Sequence, residues 1–352
     1  MIAKLYIYRL TDVTYDINIP KLRGGLKKLQ FRPLRLSRFT PAYLNFSIPP
    51  LQMEEKTWTT PLIDRSIITQ IKFFSLGSIT ARFEIEIEGN NYDEILSKAK
   101  SILNNPSAFD RKSRKLSNKL RLIIEKELGI RTYHGLEEDY AVLWIRDRYD
   151  QGKKAEVISP TAKFLRNEDR QLSGYEQNEA FKYHFSYTPE DITIIDWDRA
   201  VTIGMEPEDD VWDVLEYVNI QLLELRYYEK ELDKRLEEIY QYSRAKQLPI
   251  IEFYKTQKLM QKTLEIFIEY SSVEKRINNF LRLTGDEYLS RIYLAASARL
   301  NLHKTEENLK KRLNDTKELY EMLSAELSSV RAEILEIIII FLILFEIIYA
   351  LI

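Results

Sequence analysis

The chain has 352 residues, of which 45% are hydrophobic and 30% are charged. This composition is typical of a globular protein and the length allows two domains. Because 52 basic and 54 acidic residues leave a formal net charge of −2, the total charge does not indicate a polyanionic partner. The chain contains no cysteine, which excludes disulfide bonds, thiolate zinc sites and a cysteine nucleophile.

The first 205 residues combine strand and helix patterns. The clearest strand pair spans residues 68–74 and 78–88. In its second strand Phe83, Ile85 and Ile87 alternate with charged residues, a period of two that is typical of a half-buried antiparallel strand. Further strands are predicted at 4–9, 139–145, 192–195 and 200–203, helices at 91–104 and 111–128, and an ordered, proline-interrupted wrapping loop at 18–64. Because hairpin signals outnumber crossovers, we predict an α+β head domain over residues 1–205.

From residue 209 the hydrophobic spacing changes to alternating steps of four and three, which is typical of a coiled-coil seam. The seam residues are Val211, Leu215, Val218, Leu222, Leu225, Leu232, Leu236 and Ile239, then Leu309, Leu313, Thr316, Tyr320, Leu323, Leu327, Val330, Ile334 and Ile337. Pro249 and Gly285 divide the pattern, because proline favours a first helical turn and Thr284 begins a capping box. We predict a long antiparallel three-helix coiled-coil stalk over residues 206–332, with helices at about 209–247, 249–283 and 285–332.

The segment 333–352 contains the apolar run IIIIFLILFEIIYALI at residues 337–352, whose one charged residue is Glu346. The summed insertion free energy of its apolar residues exceeds the cost of one acid. We therefore predict a C-terminal transmembrane helix, a single-pass anchor that keeps the head in the cytoplasm because the basic residues precede it. The anchor residues are Ile337, Phe341, Leu344, Glu346 and Ile348. The alternative is a helix that packs between subunits of a homo-oligomer.

Two features concern possible chemistry. Asp196 and Asp198 flank Trp197, and carboxylates at i and i+2 of a strand share a face that could hold Mg²⁺. Such acids are more often not a site, because Asp198 can pair with Arg199 or cap a turn, and we predict no metal site. The sequence lacks phosphate-loop, dinucleotide-binding, zinc-protease and serine-hydrolase motifs. We therefore predict a protein that is not an enzyme and has no cofactor.

Two runs of basic residues contain no acid. The first consists of Lys21, Arg23, Lys27, Lys28, Arg32, Arg35 and Arg38, and the second of Arg111, Lys112, Arg114, Lys115, Lys119 and Arg121. Either run could neutralise phosphates of RNA or of lipid headgroups. The alternative is a solvated loop and a solvated helix face.

The helical half resembles a known family. The stretches LEYVNIQLLELRYYEKELDKRLEEIY (residues 215–240) and VRAEILEIIIIFLILFEII (residues 330–348) are similar to the family named for a requirement in meiotic nuclear division, also called the YagE-type domain. The family ending L-E-W-I-V-I-x-L-I-x-x-E is matched at Leu335, Glu336, Ile338, Ile340, Leu342, Ile343 and Glu346, with isoleucine in place of its tryptophan and valine. The resemblance covers residues 209–352. It implies an α/β head, a helical stalk and a C-terminal hydrophobic helix. It also implies that eukaryotic relatives are inner mitochondrial membrane proteins that support organelle translation.

Three functional hypotheses follow. The first is a non-enzymatic scaffold, anchored in a lipid bilayer and oligomeric through stalk and anchor, that recruits a protein partner. The second is an RNA- or ribosome-binding tether that uses the basic runs 21–38 and 111–121. The third is a protein related to CorA-type transporters, whose head, stalk helix and C-terminal membrane helix are similar in order, although the Gly-Met-Asn loop of those channels is missing here.

Overall fold

The computed structural model describes residues 1–25, 32–33, 50–61, 63–133, 135–149, 154–206, 209–244, 254–268, 270 and 287–351. The chain forms two compact units. The first unit comprises Met1–Glu224 and Arg276–His303, and the second comprises Leu225–Lys275 and Lys304–Ile352. The first unit therefore extends past the predicted boundary at residue 205 and includes part of the predicted stalk.

The strands are β1 (Ile2–Asp12), β2 (Arg32–Pro33), β3 (Leu51–Thr60), β4 (Ile63–Phe73), β5 (Ser78–Glu88), β6 (Glu137–Arg146), β7 (His184–Phe185), β8 (Ile192–Ile195) and β9 (Arg199–Ile203). The helices are α1 (Ile19–Gly25), α2 (Tyr92–Leu103), α3 (Ser107–Leu128), α4 (Lys154–Leu165), α5 (Gly174–Ala180), α6 (Asp209–Arg244), α7 (residues 254–268), α8 (Glu287–Arg299) and α9 (Leu302–Leu351). The strand pair predicted at 68–74 and 78–88 is confirmed as β4 and β5, which pair antiparallel. Strand β3 lies inside the segment predicted as a loop.

The nine described strands form one mixed sheet in the order β2-β3-β4-β5-β1-β6-β9-β8-β7. Strands β6 and β9 pair in parallel, and the other neighbours pair antiparallel. The centre is β1, whose register places Tyr8 opposite Arg82 of β5 and Tyr140 of β6. Residues that face each other in this way share one face of the sheet.

The two faces of the sheet differ in polarity. On one face Leu5 and Ile7 of β1 join a hydrophobic core with Phe109 of α3 and Ile95 of α2. Such a core forms because alternate residues of each strand point to this face and pack against the apolar sides of amphipathic helices. The other face carries Tyr6 and Tyr8 instead, and it is covered by the first half of α6.

The turn between β4 and β5 requires glycine. Gly77 has φ of +106°, a conformation that L side chains rarely adopt. A Cβ at this position would lie 1.6 Å from the backbone oxygen of Thr14. The close approach is useful because the amides of Val13 and Thr14 donate to the carbonyl of Gly77, at 3.1 and 3.3 Å. The turn therefore fixes the end of β1.

The described residues of the second unit lie in helices. Arg312 of α9 contacts Glu229 of α6 at 3.2 Å and also pairs with Asp233, while Leu259 of α7 packs with Leu319 of α9. Within the predicted seam, residues 309, 313, 316 and 327 are buried. Helix packing along the seam is thus present from the start of α9 to about residue 327.

The helix predicted to run without interruption from residue 285 is divided in two. Helix α8 ends at Arg299 and α9 begins at Leu302. Between them Asn301 adopts φ of +54°, a left-handed conformation that asparagine tolerates better than other non-glycine residues. The sequence has neither proline nor glycine here, which is why the break was not predicted.

The predicted C-terminal transmembrane helix is wrong. In the part of the chain that the structure describes, no helix combines the length and apolarity needed to span a membrane. The physical reason is that Glu333, Glu336 and Glu346 interrupt the apolar sequence. The uninterrupted run between Glu336 and Glu346 is residues 337–345, about 14 Å of helix, against a hydrocarbon core of about 30 Å. The predicted tail anchor and membrane localisation are corrected with it.

Candidate functional site

The polar face of the sheet carries charged side chains that would normally be in water. Lys72 of β4 and Arg82 of β5 lie on the same face as Tyr6 and Tyr8 of β1, as the strand register requires. Helix α6 covers this face through Trp212. The Trp212 ring centroid lies 4.6 Å from that of Tyr6, and the indole donates to the Thr202 hydroxyl at 3.3 Å.

Lys72 is buried between two carboxylates of α6. Its Nζ donates to Asp213 Oδ1 at 2.5 Å and to Glu216 Oε2 at 2.6 Å, and the side chains of Lys72 and Glu216 are each 1% exposed. Burial alone would favour the neutral amine, but the two carboxylates raise the pKa of Lys72 above its ordinary value. We therefore assign a charged Lys72 that links β4 to α6.

Glu216 illustrates the opposing effect. Burial raises the pKa of its carboxyl, while the Lys72 ammonium acts to lower it. Its Oε1 atom has no hydrogen-bond partner, so only one of the two carboxylate oxygens is satisfied. About two turns farther along α6, Glu224 accepts a hydrogen bond of 2.5 Å from the Ser78 hydroxyl. Helix α6 thus meets the sheet through acids as well as through apolar side chains.

Arg82 lies beside this cluster but, unlike Lys72, makes no close ion pair with a carboxylate of α6. Its Nε is buried and has no hydrogen-bond partner, and its guanidinium carbon lies 5.2 Å from the centroid of the Tyr6 ring. Burial raises the pKa of the Tyr8 hydroxyl well above its ordinary value, although Arg82 acts to lower it. Tyr8 therefore stays neutral next to the guanidinium.

A cavity opens on the polar face next to Arg82. Its volume is about 380 Å³, within the range of pockets that bind small molecules. It is lined by Ile2, Lys4, Tyr6, Arg82, Glu84, Glu86, Trp144, Arg146 and Asp209. These residues come from the three adjacent strands β5, β1 and β6 and from the first residue of α6. The cavity and the buried Lys72 cluster are neighbours on one face.

The two aspartates considered as magnesium ligands, Asp196 and Asp198, are engaged by arginines. Asp196 is fully buried and accepts hydrogen bonds from Arg166 and from Arg299 Nε, the latter at 2.7 Å. Asp198 accepts from Arg199 Nη2 at 2.6 Å. Guanidinium groups thus occupy the carboxylate oxygens that a cation would need. Among the described residues, no group of three or more His, Asp or Glu side chains is placed to hold a metal ion.

The second basic run lies on α3, and several of its members face acids. Lys112 Nζ lies 3.0 Å from Glu55 of β3, and Arg114 lies 3.7 Å from Glu137. Lys119 also reaches Glu55, and Arg121 Nε donates to Thr132. Arg111 and Lys115 are exposed. The run is therefore less positive than its sequence suggests, because acids of neighbouring strands lie against it.

The first basic run lies mostly outside the described residues. Lys27, Lys28, Arg35 and Arg38 belong to that part, and for Arg32 only its place in β2 is described. Lys21 lies on α1 and its Nζ donates to the Leu128 carbonyl at 2.9 Å, whereas Arg23 is exposed. Binding of a polyanion by either run stays a prediction.

The residues predicted to form the anchor lie in the last part of α9. All nine residues from 337 to 345, Ile337, Phe341 and Leu344 among them, are between 47% and 69% exposed. Ile348 and Glu346 are exposed as well. The structure therefore places these side chains at the surface of the second unit.

Sequence reasoning missed Lys72, Arg82 and the acids that meet them. Charged residues on an alternating strand are usually on its solvent face, and acids near residue 209 are usual at a helix start. A usable signal was available on α6. Asp213 and Glu216 are three apart, so they share one face of the helix, and residues 211–225 are otherwise mostly apolar.

Comparison with known proteins places the sheet-bearing unit in a family. The family model "Uncharacterized protein MJ0711, N-terminal domain" matches residues 3–210, more than half of the chain, and the chain belongs to this family. Uncharacterized protein MJ0711 of Methanocaldococcus jannaschii is 29% identical over 192 residues, which are 54% of this chain and 58% of that protein. The match thus spans little more than half of the relative. No solved structure matches.

The matched family model ends at residue 210. The resemblance to the YagE-type domain was drawn from residues 215–240 and 330–348, which lie beyond it. That resemblance stays a prediction, and the helical half is interpreted from its own residues.

Proposed function

We propose that this member of the MJ0711 N-terminal-domain family is a non-enzymatic scaffold that assembles with copies of itself through the last part of α9. We call residues 335–349 the assembly segment. The observation that carries the proposal is the exposure of this segment, in which nine consecutive apolar residues each leave about half of their surface in water. A contiguous apolar surface of this kind marks an interaction site.

The area of the surface is sufficient for a stable interface. A large apolar residue has an accessible surface on the order of 200 Å², so nine half-exposed residues present roughly 1,000 Å². A stable protein interface buries about 800 Å² on each partner. The segment alone meets this requirement, and a second copy supplies a partner of matching chemistry and length.

The circumference of the segment indicates more than two copies. Residues 337–345 occupy every side of the helix, because nine residues make two and a half turns. A dimer covers only one side of each helix, whereas a helix that is apolar all round is covered in a bundle of several helices. Glu346 then lies within the bundle, where one polar residue per helix can fix the register and the number of copies.

The test measures the molar mass of the particle that the purified full-length chain forms in solution, by sedimentation equilibrium. We expect the native chain to form a discrete oligomer of three or more copies. The variant Phe341→Glu, Phe345→Glu, Ile348→Glu should be a monomer, because three acids per copy would have to be buried side by side. The matched control adds the same three charges at the same spacing, Ala325→Glu, Ser329→Glu, Ala332→Glu, at exposed positions of the same helix.

The control should keep the mass of the native chain. A native chain that is monomeric at micromolar concentration contradicts the proposal. Equal masses for the two triple variants would also contradict it, because assembly would then not depend on the apolar segment.

A further inference from the structure

Some of the charged side chains that line the cavity on the polar face are neutralised by an ion pair, and others are not. Glu84 pairs with Lys4, whose Nζ lies 2.6 Å from its Oε1. Glu86 pairs with Arg65 at 2.6 Å. Two of the three acids that line the cavity are therefore neutralised by cations of the sheet itself.

Arg82 has no such close ion pair in the described part of the chain, although the Tyr8 hydroxyl and the carboxylates of Asp213 and Glu216 act on its charge. Within the described residues no carboxylate lies within 4.0 Å of its guanidinium, and its buried Nε makes no hydrogen bond. A guanidinium carries five donors in a planar fork that matches a carboxylate or a phosphate. The Nε is buried and out of reach of a ligand, but Arg82 lines the cavity, and the outer nitrogens of its fork are the donors suited to an incoming anion.

Two further features favour negative charge in the cavity. Helix α6 begins at Asp209, a lining residue, and the amide end of a helix carries partial positive charge. Arg146 also lines the cavity and is exposed. Against these stands the carboxyl of Asp209, which would repel an anion when ionised. Burial raises the pKa of Asp209, and Arg82 acts to lower it.

We propose that this cavity binds a small oxyanion, a carboxylate or a phosphate, whose oxygens accept hydrogen bonds from the guanidinium of Arg82. The aromatic rings of Tyr6 and Trp144 form an apolar wall beside the anion, and Lys4 stays with Glu84. The volume of about 380 Å³ admits a ligand of metabolite size. The site is on the sheet of the first unit and is independent of assembly through α9.

The test is isothermal titration calorimetry of the full-length chain with inorganic phosphate and, separately, with acetate and citrate. We expect one binding site per chain for phosphate or for a carboxylate. Comparison of the phosphate titration with the acetate and citrate titrations shows which kind of oxyanion the cavity binds. Arg82→Met should weaken the binding about ten- to a hundred-fold, since a hydrogen bond to a charged group is lost. Arg291→Met removes the same charge from an exposed position on α8, outside the cavity and both basic runs, and should leave the affinity unchanged.

A gain-of-affinity variant guards against loss of folding. Asp209→Asn should tighten binding several-fold, because it removes the lining acid that has no ion pair within 4.0 Å among the described residues. An unfolded variant could not bind more tightly. The proposal is overturned if none of the three anions, phosphate, acetate and citrate, binds at millimolar concentration. It is also overturned if Arg82→Met binds as the native chain does, or if Asp209→Asn binds more weakly while its fluorescence spectrum is native.

Discussion

Replacing Lys72 with methionine is expected to lower the free energy of unfolding of the first unit by about 3 to 5 kcal/mol. The native ammonium lies 2.5 Å from Asp213 and 2.6 Å from Glu216, in a site that is almost fully buried. Methionine has a similar length but no charge, so two carboxylates would remain buried without their cation. Removing one partner of a buried ion pair costs far more than the pair contributes.

The measurement is urea unfolding followed by tryptophan fluorescence. All four tryptophans, Trp58, Trp144, Trp197 and Trp212, belong to the first unit, so the signal reports on that unit. The triple variant Lys72→Met, Asp213→Asn, Glu216→Gln should regain part of the lost stability, because no uncompensated charge is left. A loss below about 1 kcal/mol for Lys72→Met, the range of exposed ion pairs, would contradict the buried cluster.

A second large effect is expected from Asp12 and depends on pH. Asp12 ends β1 and is fully buried. Its Oδ1 accepts a hydrogen bond from the Tyr133 hydroxyl at 3.0 Å, whereas Oδ2 has no partner. Burial raises the pKa of Asp12 to about 7, against about 4 in an unfolded chain.

The raised pKa of Asp12 determines how the stability changes with pH. The folded state holds the proton of Asp12 more tightly than the unfolded state, so the stabilisation is complete below about pH 4 and is lost as the pH rises through about 7. The loss amounts to on the order of 4 kcal/mol at pH 8. Asp12→Asn keeps the shape without the charge, and its stability should exceed that of the native chain at pH 8 but not at pH 4.

The same fluorescence-detected unfolding, carried out at pH 4, 6 and 8, measures this difference. Asp169→Asn is the control: its side chain is 93% exposed and, among the described residues, pairs only with Lys100 at 2.6 Å, so the substitution should change the stability by less than about 1 kcal/mol at each pH. If the difference between Asp12→Asn and the native chain is the same at pH 4 and pH 8, Asp12 does not titrate as its burial requires.

Local patterns predicted the elements whose side chains follow one period. Strand β5 alternates strictly, and both its existence and its pairing with β4 were predicted from residues 78–88. Strand β3 was missed because the prolines around it suggested a loop. The break at Asn301 was missed because asparagine is a weaker signal than glycine or proline.

The candidate site was harder to predict from the sequence than the strands were. Lys72 is 1% exposed, but a lysine on a strand is normally on the solvent face, and only the packing of α6 shows that this face is covered. The cavity beside Arg82 also depends on three strands whose order in the sheet differs from their order in the chain.

The predicted membrane helix failed for a quantitative reason. The apolar residues after 336 were summed over the whole segment, whereas Glu346 leaves an uninterrupted run of only nine residues. The same residues remain the largest exposed apolar surface of α9, and packing between subunits is the alternative that the segment had left open.

The central claim, that assembly segments of different copies pack together, is tested most directly by an intermolecular distance. Because the chain contains no cysteine, Leu344→Cys accepts a single spin label, and pulsed dipolar spectroscopy then measures the separation of labels in neighbouring copies. Packed helices have axes roughly 8 to 10 Å apart, so the account predicts label distances of roughly 10 to 25 Å. Absence of an intermolecular dipolar signal at micromolar protein concentration would contradict it.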